Sequence, residues 1–314
     1  MKRIVFYPGK FKIDVAYKKN QNMGQNLAYL SIPDADVTGR VENFVLKDEK
    51  NLSHREDLSK KISVFLPESY DGITPHDILY FFDAQNLFAN AGHYTDNGDP
   101  YGSWQLDVVI TALHRQFGHN IIVVGIDNAD MYRSHELFMS PDKFGDLSPL
   151  ATAIPDDDFS RGYLESLSEF MVTTLHRAIK ERYCVKEDNI GIGGASMGGI
   201  ASFFCGLHEM GFYKYILSYS PAFGLYEMSA FDGWLGRIEP KKKANLLPRL
   251  HIYCGGGDML EEQLLPASRA MKNMLVQHGY DPEIIFETYD SERAHNEESW
   301  RLVLPESFCC LFDL

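Results

Sequence analysis

The 314-residue sequence has no apolar run approaching the roughly 20 residues needed to cross a bilayer. Its start, MKRIVFYPGKFKID, is basic, but Pro8, Gly9 and Lys10 interrupt the apolar stretch before it reaches the length of a signal-peptide core. These two absences predict a cytoplasmic location and no membrane partner. Basic residues are also scarce: 30 Lys and Arg stand against 44 Asp and Glu, a formal charge of −14 that repels phosphate backbones, so no nucleic acid is expected as a partner. Five cysteines (Cys184, Cys205, Cys254, Cys309, Cys310) are odd in number, scattered and mostly set in apolar runs, which suggests neither a disulfide framework nor a zinc site. No Pro/Gly/Ser-rich linker, repeat or low-complexity tract breaks the chain. The expectation is one domain over 1–314, with 1–39 as an N-terminal extension.

What the sequence does have is alternation. Short β-rich runs (KISVFLP 61–67, DILYFFD 77–83, NIIVVGID 120–127, NIGIGGAS 189–196, YKYILSYSP 213–221, RLHIYCGGG 249–257, EIIFETYD 283–290) are separated by helical patterns. Most of the runs are almost continuously apolar, as strands covered on both faces are. The helix candidates include 104–117 and, most clearly, the segment from about 159 to 183 behind Asp156, Asp157 and Asp158. This order predicts an α/β fold with a central, mostly parallel sheet covered by helices on both faces. RVENFVL (40–46) and KISVFLP are expected to form an antiparallel N-terminal edge. One connection, 128–159, is longer than compact domains usually carry, and its aromatic and aliphatic content predicts a pocket-wall or lid loop.

Ser196 lies in NIGIGGASMGG, with glycines two residues before and after it. The string alone is weak, but it falls between a predicted strand and a predicted helix, where a serine on a sharp turn becomes a nucleophile. Gly194 and Gly198 then leave room for the turn, while Gly191, Gly193 and Gly199 are read as allowing close strand–helix packing. The helix N-terminus makes the Met197 N–H a donor to a developing oxyanion. A serine needs a base, and of the downstream histidines His251 sits in an apolar strand and His278 at the end of a helix. His295, after the last strand, is left as the base. The acid that orients it is expected just past the strand RLHIYC: Asp258 leads, with Glu261 and Glu262 as alternatives. Gln85, Asn86 and Leu87, following DILYFFD, are candidate second oxyanion donors. Tyr101, Trp104, Tyr132, Arg133 and Phe144 are candidate pocket residues, although Arg133 and Glu136 read better as a structural ion pair. Asp83, Asp127 and Asp130 lie near strand ends, but without His or Cys spacing they predict no metal, and the chemistry requires no cofactor.

With FFDAQNLF (81–88), VVGIDN (123–128), Arg133 and Glu136, DNIGIGGASMGG (188–199), CGGGD (254–258) and AHNEESW (294–300), the chain resembles the putative esterase family of α/β-hydrolases over about residues 40–312. That family holds esterase D, enterochelin-type and feruloyl or acetylxylan esterases. It often has Asp-Gly-Gln-Asn where this chain has Asp83-Ala84-Gln85-Asn86. The resemblance implies a serine carboxylic ester hydrolase with Ser196 as nucleophile, Asp258 as acid and His295 as base. Its expected partner is a small-molecule ester, foremost an acylated carbohydrate or similar polyol, with a siderophore trilactone or an S-acyl thioester as alternatives. A hydrolase-fold protein that binds a ligand without catalysis is the reading from another class, and assembly as a homo-oligomer stays open.

Overall fold

The computed structural model describes residues 11–14, 29–32, 39–88, 102–152, 159 and 161–312. Within the expected N-terminal extension, β1 (Phe11–Asp14) pairs antiparallel with β2 (Tyr29–Ile32). The main sheet has eight strands: β3 (Gly39–Lys47), β4 (Ser59–Pro67), β5 (His76–Phe82), β6 (Ile121–Ile126), β7 (Val185–Ala195), β8 (Tyr215–Tyr219), β9 (Arg249–Cys254) and β10 (Ile285–Tyr289). Their spatial order is β10-β9-β8-β7-β5-β6-β4-β3. From β5 to β10 every pairing is parallel, whereas β4 runs antiparallel to β6 and β3 antiparallel to β4. The expected antiparallel edge is therefore present.

The strand compositions explain this placement. HDILYFF and IIVVGI are buried at every residue, as central strands must be when both faces are covered. β3 alternates between half-buried and exposed positions along part of its length, as an edge strand with one wet face does. Successive β5 residues divide between two cores. Ile78, Tyr80 and Phe82 face α5 (Leu164–Phe170), α6 (His176–Arg182), α7 (Met197–His208), α8 (Met228–Ile238) and α9 (Met259–Gln277). Leu79 and Phe81 pack with α1 (Leu106–Phe117) and α10 (Glu297–Phe312). The helix expected near 159–183 is α5 and α6 joined through one π-helical turn, 171–175, while its acidic lead-in, 156–158, lies outside the described residues.

The connection after β6 is packed rather than loose. Its described residues form three short α-helices, α2 (Arg133–Glu136), α3 (Pro141–Phe144) and α4 (Pro149–Thr152), and bury Leu137, Phe138, Met139 and Phe144. Glu136, fully buried, fixes it to the body through His54 Nε2 (3.2 Å), Arg55 Nη1 (3.3 Å) and the buried Lys60 ammonium on β4. Burial alone would raise the Glu136 carboxyl, but Lys60, His54 and Arg55 together hold it far below the usual carboxylate range. A depressed folded pKa means that this stabilisation is present above the ordinary Glu range and is lost as pH falls toward the folded value. Glu136→Gln, which strands Lys60 without its counter-charge, is expected to cost about 3 kcal/mol in urea unfolding at neutral pH, with the difference shrinking in acid.

Two glycines depart from expectation. A Cβ at Gly191 would lie 2.0 Å from the Tyr215 ring, and one at Gly193 2.5 Å from the Phe81 ring, so both make room for aromatic side chains of neighbouring strands and not for a helix. Gly199 does serve close helix packing, against the Tyr219 carbonyl and Pro221.

Candidate active site

Because β5 to β10 are parallel, their carboxyl ends share one edge, and every part of the site springs from it. β7 stops at Ala195, and Ser196 turns the chain into α7 with φ 56° and ψ −118°. A serine at positive φ is strained, and its neighbours hold it there. Its N–H donates to the Tyr219 carbonyl (2.9 Å), and its carbonyl accepts from the N–H groups of Gly199, Ile200 and Ala222. Gly194 and Gly198 are the glycines the turn requires. A Cβ at Gly194 would meet the Gly198 carbonyl oxygen at 2.5 Å, and one at Gly198 would meet Asp83 Oδ2 at 2.9 Å. Met197 opens α7, so its N–H has no partner within the helix and points outward at the positive end of the dipole.

Across from the turn, β5 ends in a left-handed residue, Asp83 (φ 59°, ψ 57°), followed by a single 3₁₀ turn over Ala84–Asn86. The positive φ falls on Asp83, so Ala84 needs no glycine-like backbone. The Asn86 N–H is taken by the Asp83 carbonyl (3.3 Å) and the Leu87 N–H by Ala84 (3.5 Å). Of the three expected donors, Gln85 is the one whose N–H has no backbone acceptor among the described residues. Asp83 itself is clamped by Arg133 through Nε (2.6 Å) and Nη2 (2.8 Å) and by Asn128 Nδ2 (2.8 Å). Burial opposes its charge, but the Arg133 guanidinium keeps the carboxyl below its ordinary range. Arg133 and Glu136 are thus both in ion pairs, with Asp83 and Lys60 respectively and not with each other.

His295 lies in the loop after β10, and its Nδ1 is 3.1 Å from Glu261 Oε1. Asp258, the leading candidate for the acid, occupies a different place. One of its oxygens caps α9 by accepting the Glu261 N–H (2.9 Å), and the other accepts the His295 backbone N–H (2.7 Å). Its carboxylate holds the loop, while Glu261, one helical turn on, meets the ring. Glu262 is exposed. Glu261 is fully buried and also accepts from the Ser220 hydroxyl, from Cys254 Sγ (3.1 Å) and from the Gly255 N–H (2.9 Å). Burial would lift its pKa, yet these donors and His295 hold it below the usual value.

Gly255, Gly256 and Gly257 explain how two loops come this close. None has positive φ; instead, the Gly256 and Gly257 N–H groups donate to the Arg293 carbonyl (3.1 and 2.8 Å). A Cβ at Gly255 would lie 2.3 Å from that oxygen. The other histidines are engaged elsewhere. His251 is buried between Ser307 (2.6 Å) and Thr288 (3.0 Å), and desolvation pushes its pKa down to about 3. His278 contacts Asp232 at the end of α9 (2.8 Å). The Ser196 hydroxyl makes no hydrogen bond to a described residue.

A cavity of about 270 Å³ opens beside Ala195. Phe82, Trp104 and Trp300 line it together with Asp83, Gln85, Asn86, Asn128, Arg133 and Glu297. Trp300 links it to the histidine, standing edge-on to the His295 ring at 5.1 Å and stacking on Trp104 at 5.3 Å. Of the expected pocket residues, Trp104 and Arg133 line this cavity. Phe144 does not: it is buried among Tyr226, Phe231 and Trp234, in the core. Tyr132 is 53% exposed beside His135 and does not line the cavity, and Tyr101 lies outside the described residues. Glu297, Trp300, Asn128 and Ser220 were not singled out from the sequence. A signal existed for two of them, since the first turn of a helix that begins two residues after His295 must lie beside it.

A family model described as putative esterase matches residues 53–309. No curated protein shows a significant match. Among solved structures, the enterobactin esterase of Shigella flexneri is similar with a TM-score of 0.58 and 17% identity over 87% of this chain and 59% of that one. The chain thus spans about three fifths of that protein. The siderophore hydrolase EstA of Aspergillus nidulans gives 0.64 at 12% identity, covering 87% of this chain and 95% of that one. A ferulic acid esterase of Anaeromyces mucronatus gives 0.59 at 14%, covering 88% and 92%. At such identities the likeness is one of fold, that of the α/β-hydrolase esterases.

Proposed function

The chain belongs to the putative esterase family, and from that premise we propose that it is a carboxylic ester hydrolase working through an acyl-enzyme formed on Ser196, with His295 as base and Glu261 as the acid. The observation that carries this reading is the 3.1 Å contact of the buried Glu261 carboxylate with His295 Nδ1, on the same sheet edge as the strained Ser196. Nδ1–H bonded to a carboxylate leaves Nε2 to accept a proton. Ser196 Oγ attacks the ester carbonyl as His295 takes its proton, and the N–H groups of Met197 and Gln85 stabilise the oxyanion. Collapse expels the alcohol, protonated by His295, and water repeats the sequence to release the acid. Asp258 serves here as a cap and loop tether.

The substrate in this reading is an ester of a small polyol or carbohydrate. Supporting it are the amide and charged side chains of the cavity beside two indole rings, a lining suited to hydroxyl groups and the apolar face of a sugar. The connection after β6 contributes Asn128 and Arg133 to this cavity. The siderophore ester reading is favoured by the fold likeness to the Aspergillus hydrolase.

A fluorophosphonate probe should label the native protein once, with the adduct mapping to Ser196. Acetylated sugars and a trilactone assayed side by side then decide the alcohol. An adduct on any other residue of the folded protein would sink the mechanism.

A further inference from the structure

Ser220 follows β8 and has no part in the reaction sequence above, yet its backbone sits at φ 38°. Glycine would occupy that position without strain, so a serine there is kept at a cost to the backbone. Its N–H donates to the Tyr253 carbonyl (2.6 Å), which holds the turn, and its side chain is fully buried. The hydroxyl lies between two partners of fixed character. The Trp300 indole Nε1–H can only donate, and it approaches Ser220 Oγ at 2.9 Å. The Glu261 carboxylate can only accept, and Ser220 Oγ donates to Oε1, the same oxygen that faces His295 Nδ1. A hydroxyl has one proton, so its orientation follows from the chemistry of its neighbours.

We propose that Ser220 is a positioning residue, oriented by Trp300, that fixes Glu261 Oε1 in front of His295 and tempers its basicity. The proposal rests on the Ser196–His295–Glu261 reading. A second donor on Oε1 draws off part of the negative charge that would otherwise stabilise the imidazolium. Without the hydroxyl that charge concentrates on His295, which becomes harder to deprotonate, and the carboxylate loses an in-plane anchor. Trp300 ties the arrangement to the base a second time, since its ring stands edge-on to His295.

Titratable or charged groups around this pair include Cys254 and Tyr253 from β9, Asp258 from the start of α9, and Asp290 and Arg293 from the loop after β10. Burial lifts Cys254 and Tyr253 well above their ordinary values. All five groups persist in a Ser220 variant, so a difference from wild type reports the hydroxyl.

Ser220→Gly separates this role from a structural one, because it removes the hydroxyl while relieving the backbone. The expected result is a fall in kcat of about tenfold, the scale of one lost hydrogen bond to a charged group. The acid limb of the kcat/KM profile should move to higher pH, with KM changed less than twofold and the urea midpoint retained. Ser220→Ala, which keeps the backbone conformation, should move the limb in the same direction even if it is less stable. A limb that coincides with wild type in both variants overturns the proposal, whatever happens to kcat. Glu261→Gln measured alongside distinguishes the deeper failure: if it retains wild-type kcat, the acid has been misassigned and Ser220 falls with it.

Discussion

Ser196→Ala is expected to lower kcat for ester hydrolysis by roughly 10⁴- to 10⁶-fold, the range seen when a nucleophile that acts as one unit with its base is removed. The fold should barely register the change. The hydroxyl bonds to no described residue, and alanine at φ 56° carries the same strain as serine there, so the backbone contacts to Tyr219, Gly199 and Ala222 are retained. Turnover of p-nitrophenyl acetate and urea unfolding on the same preparations check both halves. Substantial turnover in a fully folded variant would remove Ser196 from the mechanism.

The second large effect separates two acids only three residues apart. Glu261→Gln should reduce kcat/KM by roughly 10³- to 10⁴-fold, as the loss of a triad carboxylate does in serine hydrolases. An amide at this site can satisfy His295 Nδ1–H with its oxygen, but its NH₂ group is then turned toward the Gly255 N–H, which is itself a donor. Asp258→Asn is expected to cost no more than about tenfold, because asparagine caps a helix as well as aspartate; its single oxygen keeps the Glu261 N–H and gives up the one that held the His295 N–H, which weakens the loop tether but leaves Glu261 facing the ring. Steady-state kinetics of the two variants at matched pH decide the matter. Equal losses would mean that holding the loop matters as much as orienting the ring. Glu261 also has a pH signature. Its depressed folded pKa stabilises the native state above the ordinary glutamate range and ceases to do so as pH falls through the folded value. The stability gap between wild type and Glu261→Gln should therefore narrow in acid.

The central strands were legible because DILYFF and IIVVGI leave no polar face to expose. That Ser196 and His295 come to one edge of the sheet was legible for a related reason: parallel strands fix which end of each element reaches the common edge. Which carboxylate meets the His295 ring was not. Asp258 and Glu261 both lie within one turn of the start of α9, and sequence spacing does not say which aims at a ring on another loop. That is set by the depth at which the glycine run seats against Arg293, a property of the packed loops. Phe144 was misread because a loop aromatic looks the same whether it faces a ligand or the core, and here the short helices after β6 carry it inward. Ser220 left no trace, since its strained φ and two buried partners exist only once β8, α9 and α10 have met.

The seating of Gly255–Gly257 on Arg293 also decides how the site comes apart. The backbone that leads to Glu261 and the loop that carries His295 are riveted to each other by two hydrogen bonds on a single carbonyl. The Asp258 carboxylate adds a third bond between the same two segments, on the His295 N–H. Parting them means breaking all three together, so warming is expected to silence the site by opening these loops as a unit.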